Sequence, residues 1–244
     1  MTKPMKVIDP HIHLFDLARG DYHWLDSKNP PFWPDKSKIN HSFAEQDLKL
    51  GLSIELTGFV HIEAGFNNDE PWQEITYLEQ VCTKPFRSIA AIDLLSSSAD
   101  FTATIKKLVA YNTIIGVRHI LDEQALEILN DKQALLNFNI LNKYGLVFET
   151  QLPLAIPCFD HLIREHSNKE SSSKESSNKK EPSIKNPSVS ALAKVITENS
   201  NITFIINHAG FPSTDTSPEP YQTSTSSQLS NSSQLPTSSQ PSKP

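Results

Sequence analysis

Three observations predict an α/β fold built on a parallel sheet. Short apolar runs alternate along the chain with stretches of helical spacing. The runs are apolar throughout, as strands covered on both faces are. Polar residues then collect where each run ends. Six segments carry the strand signal: KVIDPHIH (6–13), LTGFVHIEA (56–64), RSIAAIDLL (87–95), IIGVRHIL (114–121), GLVFETQL (145–152) and ITFIINHAG (202–210).

The first strand is fixed by Val7, Ile8 and Ile12, and the loop after it carries DYHWLD (21–26). After the second strand, Pro71 opens a helix over 71–82, because proline is tolerated in a first helical turn. The third strand leads into SADFTATIKKLVAYN (98–112), with Leu108, Val109 and Tyr111 toward its end. The fourth is followed by residues 122–145, long enough for two helices and stopped by Gly145. VSALAKVITENS (189–200) is the helix before the sixth strand. Strand–helix alternation of this kind implies right-handed parallel crossovers.

The polar set at the strand ends comprises His11 and His13, His61 and Glu63, Asp93, Arg118 and His119, Glu149 and Gln151, and Asn207 and His208. That end holds the ligand site in a (β/α)8 barrel and in an open doubly wound sheet alike. No glycine-rich phosphate loop follows any strand, and the chain has 7 glycines, which argues against a nucleotide-binding sheet.

Composition narrows the function classes. The 244 residues suffice for one large domain or two small ones. The net charge of −6 has no basic concentration that would suit nucleic acid. No apolar stretch approaches the ~20 residues of a membrane span, and no apolar signal region precedes the first strand. Cys82 and Cys158 form no CxxC pair, and this usage suits a reduced cytoplasmic setting. Residues 167–188 are Ser, Lys, Asn and Glu, and residues 213–244 are Ser, Thr, Gln and Pro with SSQ recurring every six residues. Neither segment buries enough apolar surface to offset its ordering entropy. The expectation is a disordered insertion and a disordered tail around an ordered unit within 1–212.

DPHIHLFD, DYHWLD, VHIEAG, AAIDLL, GVRHIL, GLVFETQL and NHAGFP occur in this order through residue 212. In this the sequence resembles the amidohydrolase-related branch that includes sugar-lactone hydrolases (fuconolactonase and rhamnonolactonase types) and the dicarboxypyrone lactonase. The resemblance implies a distorted (β/α)8 barrel of which about six βα units are present. Two further strands, and a catalytic Asp ending the eighth, should follow NHAGFP; here the Ser/Gln tail follows instead. On this reading the chain is an N-terminal fragment, with strands one and six as open edges. Inner-face side chains such as Ile8 and Ile206 would then lose neighbours.

The resemblance also implies roles for single residues. In an extended strand Asp9, His11 and His13 share one side. His11 and His13 would ligate one divalent metal, such as zinc, or bind substrate directly, since some members of the branch work without metal. His208 would be the third catalytic or metal-binding imidazole. Asp9 would support a histidine by a hydrogen bond. Arg118 would anchor substrate through its guanidinium, or pair with an acid such as Glu63. Glu63 and Glu149 would contribute to substrate binding, with Gln151 an alternative to Glu149. Tyr22 and Trp24 would line the pocket or anchor their loop. His119 points away from Arg118 in a regular strand. His23, His41, His161 and His166 read as surface residues.

The implied activity is hydrolysis of an ester bond in a small sugar or dicarboxylate lactone, with no activity expected from a chain lacking the last strands. The alternatives are a metal-dependent decarboxylase or amide hydrolase of the same superfamily, and a non-catalytic fragment. The partner is a small molecule; the oligomeric state is open.

Overall fold

Valine, isoleucine and phenylalanine crowd the six apolar runs, and each forms a strand. In the computed structural model, which describes residues 3–32, 34–152 and 187–207, the strands are β1 (Met5–Ile12), β2 (Ile54–Ile62), β3 (Phe86–Ala91), β4 (Ile114–Ile120), β5 (Val147–Gln151) and β6 (Thr203–Ile206). They lie in sequence order in one six-stranded sheet, every neighbouring pair parallel. Helices α1 (Trp72–Val81), α2 (Ser98–Leu108), α3 (Ala125–Asn130), α4 (Lys132–Leu141) and α5 (Pro187–Glu198) occupy the connections. This is the α/β arrangement of a partial (β/α)8 barrel, six strands running consecutively around one half.

Local chemistry sets the boundaries. Ser97 caps α2 by accepting from the Asp100 N–H. Asp131 separates α3 from α4: its extended backbone ends one helix, and its side chain accepts from the Gln133 and Ala134 N–H groups to start the next. Gly145 takes φ +66 three residues beyond Asn142, where a side chain would be strained. Among the described residues the β1–β2 connection has no α-helix; three 3-10 turns, His23–Leu25, Lys36–Ile39 and Glu45–Asp47, carry the chain across.

Register irregularities in β1 fall between Val7 and Ile8 and between Asp9 and Ile12. Pro10 lies in the second, where its missing N–H removes a ladder donor. In β4, Gly116 permits close packing of three strands. A Cβ there would stand 2.6 Å from Ile89 Cδ1 and 2.7 Å from the Val147 carbonyl oxygen. Gly116→Ala is expected to cost about 1–3 kcal/mol by overpacking. An unchanged denaturant midpoint would contradict this close approach of β3, β4 and β5.

Two clusters form the core. The larger packs Ala90, Val117 and Phe148 from the sheet against Phe101, Ile105, Leu108, Phe138 and Leu141 from α2 and α4, with Leu192 and Val195 of α5. The smaller gathers Leu14, Phe15, Tyr22 and Leu25 from the β1–β2 loop with Phe59, Phe66, Tyr77, Leu78 and Phe86. Helix-facing strand positions are therefore Phe59, Ala90, Val117 and Phe148. Their alternates, including Gly116, Arg118, Val147 and Glu149, face the opposite, inner side.

Among the described residues, β1 and β6 pair on one side only. Ile8 is 67% exposed, as expected for an edge residue of the inner face. Ile206 departs from expectation. It packs against the helix-side core with Phe204, and Ile205, paired with Glu149 and 41% exposed, is the inner-face residue. The period of two is exact in β6, so a one-residue phase error moves a side chain to the other face. No described helix is long and apolar enough to cross a membrane.

Candidate active site

Because the strands are parallel, all their C-terminal ends lie on one rim. Polar residues on or just after the ends of β1, β2, β4 and β5 meet there. At the centre is Arg118. Its Nε and Nη2 donate to Glu63 Oε1 at 2.8 and 2.6 Å, and Nη2 also donates to the Glu63 carbonyl oxygen at 3.1 Å. Its Nη1 donates to Glu149 Oε1 and to Gln151 Oε1, both at 3.2 Å. Arg118, Glu63 and Glu149 are all nearly fully buried, at 5, 6 and 3% exposure. Asn207 Nδ2 donates to Glu149 Oε1 at 3.1 Å, bringing β6's end into the set. Gln151 Nε2 reaches Asp122 Oδ1 at 3.2 Å, just after β4. Burial pushes the Glu149 carboxyl above the usual range, against the opposing pull of Arg118.

His11 and His13 flank this cluster. His13 Nδ1 faces two carbonyl oxygens, Ile62 O at 3.0 Å and Glu63 O at 3.2 Å. A carbonyl only accepts, so Nδ1 carries the proton and Nε2 presents a lone pair. Burial, followed by the charges of Arg118, His61 and His11, pushes the His13 imidazole down to about 3, and it stays neutral. His13 Nε2 lies 3.2 Å from His11 Nε2. His11 Nδ1 lies 4.0 Å from Glu149 Oε2. Asp9 Oδ1 accepts from the His11 backbone N–H at 3.0 Å, so Asp9 supports that histidine through its main chain and not its ring.

Two nitrogens bound tetrahedrally to zinc at ~2.0–2.1 Å stand about 3.3 Å apart. The observed 3.2 Å between the Nε2 atoms matches that edge, and the tautomer of His13 leaves the required lone pair. The pair fits two ligand positions. No group of three or more His, Cys, Asp or Glu side chains converges on a metal position among the described residues. His208, the expected third ligand, lies outside the described residues, as do Cys158, residues 167–186 and the segment 213–244.

Tyr22 and Trp24 anchor the β1–β2 loop. Tyr22 is 2% exposed, packs against Phe15 and Phe66, and accepts from the Asp16 N–H at 3.0 Å through its hydroxyl. Burial pushes its phenol well above the usual range. Trp24 Nε1 donates to the Ala64 carbonyl oxygen at 2.7 Å and remains half-buried. Gly65, at φ +81, lets the β2–α1 turn close over that indole. His119 turns away from Arg118, as parity requires, and its ring meets the Ile92 carbonyl oxygen at 3.0 Å.

Sequence reasoning missed Glu74. It is 2% exposed, on the sheet-facing side of α1. His61 Nδ1 accepts from the Leu14 N–H at 3.3 Å, so the other nitrogen, Nε2, is the donor to Glu74 Oε1 at 3.2 Å. The same oxygen accepts from the Ala64 N–H at 2.9 Å. This buried pair therefore holds the residues that directly follow His13 and Glu63. The signal was present: Glu74 shares a helical stripe with Tyr77 and Leu78, an acid where an apolar residue belongs.

Two other features carry no chemistry of this kind. A cavity of about 500 Å³ lined by Ser27, Phe32, Pro34, Lys36 and Ser37 lies in the β1–β2 loop. Its ammonium, Lys36 Nζ, donates to the carbonyl oxygens of Asp26, Asn29 and Pro31 at 2.7, 2.6 and 3.3 Å and serves as a loop staple. The Cys82 thiol is pushed up to about 11 by burial and by Glu45, which leaves little thiolate at neutral pH.

No family model matches the chain. Over 80 residues it is 35% identical to the uncharacterised protein y4mH of Sinorhizobium fredii (strain NBRC 101917 / NGR234); the match spans 32% of this chain and 27% of that protein. Among solved structures it is similar to amidohydrolase 2 from Bifidobacterium longum subsp. infantis, at 17% identity and TM-score 0.45, covering 82% of this chain and 72% of that one. It is also similar to an amidohydrolase from Burkholderia multivorans with bound hepes, at 14% identity and TM-score 0.44, covering 60% and 48%. A third is a probable 2-pyrone-4,6-dicarboxylic acid hydrolase from Acinetobacter baumannii with citric acid bound, at 15% identity and TM-score 0.39, covering 67% and 55%.

Proposed function

We propose that this rim is the site of a hydrolase that opens the ester bond of a small lactone. One observation carries the reading. Two imidazole Nε2 atoms stand 3.2 Å apart beside a buried Glu63–Arg118–Glu149 cluster at the C-terminal ends of parallel strands. The ordered motifs from DPHIHLFD to NHAGFP support it.

Without a metal, His11 would donate to the ester carbonyl and stabilise charge that develops on its oxygen, while His13 Nε2, which carries only a lone pair, would accept from a substrate hydroxyl. A divalent ion would be held by the same two nitrogens and would supply Lewis-acid polarisation. Glu149 Oε2, near His11 Nδ1, is positioned to take a proton from water.

The test is lactone opening over a panel of small lactones, with and without chelator, in the full chain and in the paired variant His11→Ala, His13→Ala. The expected result is a slow rate above background that the paired variant abolishes. Loss of that rate with chelator would assign the pair to a metal; a rate indifferent to chelator would assign it to direct substrate contact. Equal rates in wild type and paired variant would contradict the proposal.

A further inference from the structure

The two carbonyl oxygens that meet His13 Nδ1, Ile62 O at 3.0 Å and Glu63 O at 3.2 Å, belong to successive peptide units. A trans peptide carries its N–H and C=O on opposite sides of one plane, so whatever holds the N–H also aims the carbonyl. The N–H of the first unit, on Glu63, donates to the Ile89 carbonyl oxygen of β3 at 2.9 Å. The N–H of the second, on Ala64, lies past the end of β2 and donates to Glu74 Oε1 at 2.9 Å. The carbonyl of that second unit also accepts from Arg118 Nη2 at 3.1 Å. His13 is held from its own backbone as well. The Leu14 N–H shares a peptide unit with the His13 carbonyl and donates to His61 Nδ1 at 3.3 Å; His61 Nε2 donates to the same Glu74 Oε1 at 3.2 Å. One carboxylate oxygen, on a side chain 2% exposed, thus fixes two peptide planes: one carries His13 and the other carries its acceptor.

We propose that Glu74 is a positioning residue for His13, acting through the Glu63–Ala64 peptide to keep the ring proton on Nδ1 and the Nε2 lone pair toward the rim. Two effects run through that peptide. The carboxylate sets the plane, which aims Glu63 O at the ring. It also polarises the amide, because an N–H bonded to an anion makes the carbonyl of the same unit a stronger acceptor. With the proton moved to Nε2, the ring would have no lone pair for a metal or a substrate hydroxyl, and its Nδ1 lone pair would face two carbonyl oxygens. The inference deepens the reading of His13 as a site residue and rests on it.

The experiment is nitrogen-15 NMR of the His13 ring in the full chain with chelator present, which reports which nitrogen carries the proton. It compares wild type with Glu74→Leu, Glu74→Gln and Leu108→Ala. Leu108 is fully buried in the other core cluster, so its truncation lowers stability without touching either peptide. Wild type should show the proton on Nδ1. Glu74→Leu should raise the Nε2–H form roughly two- to tenfold, the effect of weakening one neutral hydrogen bond. Glu74→Gln keeps an acceptor oxygen and should restore the wild-type ring, and Leu108→Ala should leave it unchanged. Should Glu74→Leu not fold, Glu74→Asp keeps the charge, withdraws the oxygen by one methylene, and should move the ring in the same direction. A wild-type ring protonated on Nε2, no change in either the Leu or the Asp variant, or an equal change in Leu108→Ala would overturn the inference. No lactone enters the measurement, so a failure to open lactones leaves the positioning result intact, and an unmoved ring leaves the hydrolase reading intact.

Discussion

Arg118→Met is expected to destabilise the protein by about 3–5 kcal/mol, the usual consequence of removing one partner from a buried ion pair. Arg118 is 5% exposed and makes five hydrogen bonds to Glu63, Glu149 and Gln151. Without it, two acids nearly sealed from solvent face each other with no cation between them. The loss should appear as a lower denaturant midpoint with an unchanged slope. Adding Glu63→Gln and Glu149→Gln to the Met variant should recover part of it, because no unpaired charge then remains buried. A loss under 1 kcal/mol for the single variant would mean that the cluster is not formed in solution.

Glu74→Leu should cost about 2–5 kcal/mol. One oxygen accepts from both His61 Nε2 and the Ala64 N–H, and His61 is 0% exposed. Leucine fills the space but leaves two buried donors without an acceptor, at ~1–3 kcal/mol each. Glu74→Gln retains an acceptor oxygen and should cost much less. Amide exchange at Ala64 distinguishes the two: it should accelerate strongly in the leucine variant and little in the glutamine variant. Equal exchange in both would show that the carboxylate does not hold that turn.

The parallel order of the sheet was legible because each strand is a short apolar run and the stretches between them carry helical spacing, with Pro71 opening α1; the Ser97 cap of α2 appears only in the structure. Period two also separated Arg118 from His119 and brought His11 and His13 to one side. The same period misplaced Ile206, since β6 has four residues and its phase follows from pairing with β5. The site was legible as residue types at strand ends. Its wiring was not. Whether Arg118 faces a ligand or two acids depends on inter-strand distances, and Glu63 lies 55 residues away from it. Glu74 escaped because its partner is on another element. Tyr22 and Trp24 were legible as aromatic residues near the rim, but their anchoring depends on the Gly65 turn and the Ala64 carbonyl, which only the fold brings to them.

The central claim, that a small lactone sits on this rim beside His11, His13 and the Arg118 cluster, is tested most directly by nitrogen-15 NMR of the full chain during titration with galactono-1,4-lactone. The Arg118 Nε–H, which donates to Glu63 Oε1 at 2.8 Å, and the Leu14 and Ala64 amides, which His61 and Glu74 hold, surround the proposed site. The account predicts saturable shifts at these three signals, absent in the His11→Ala, His13→Ala variant. Saturable shifts confined to the loop cavity around Ser27, Lys36 and Ser37, or no saturable shift at millimolar lactone, would contradict it.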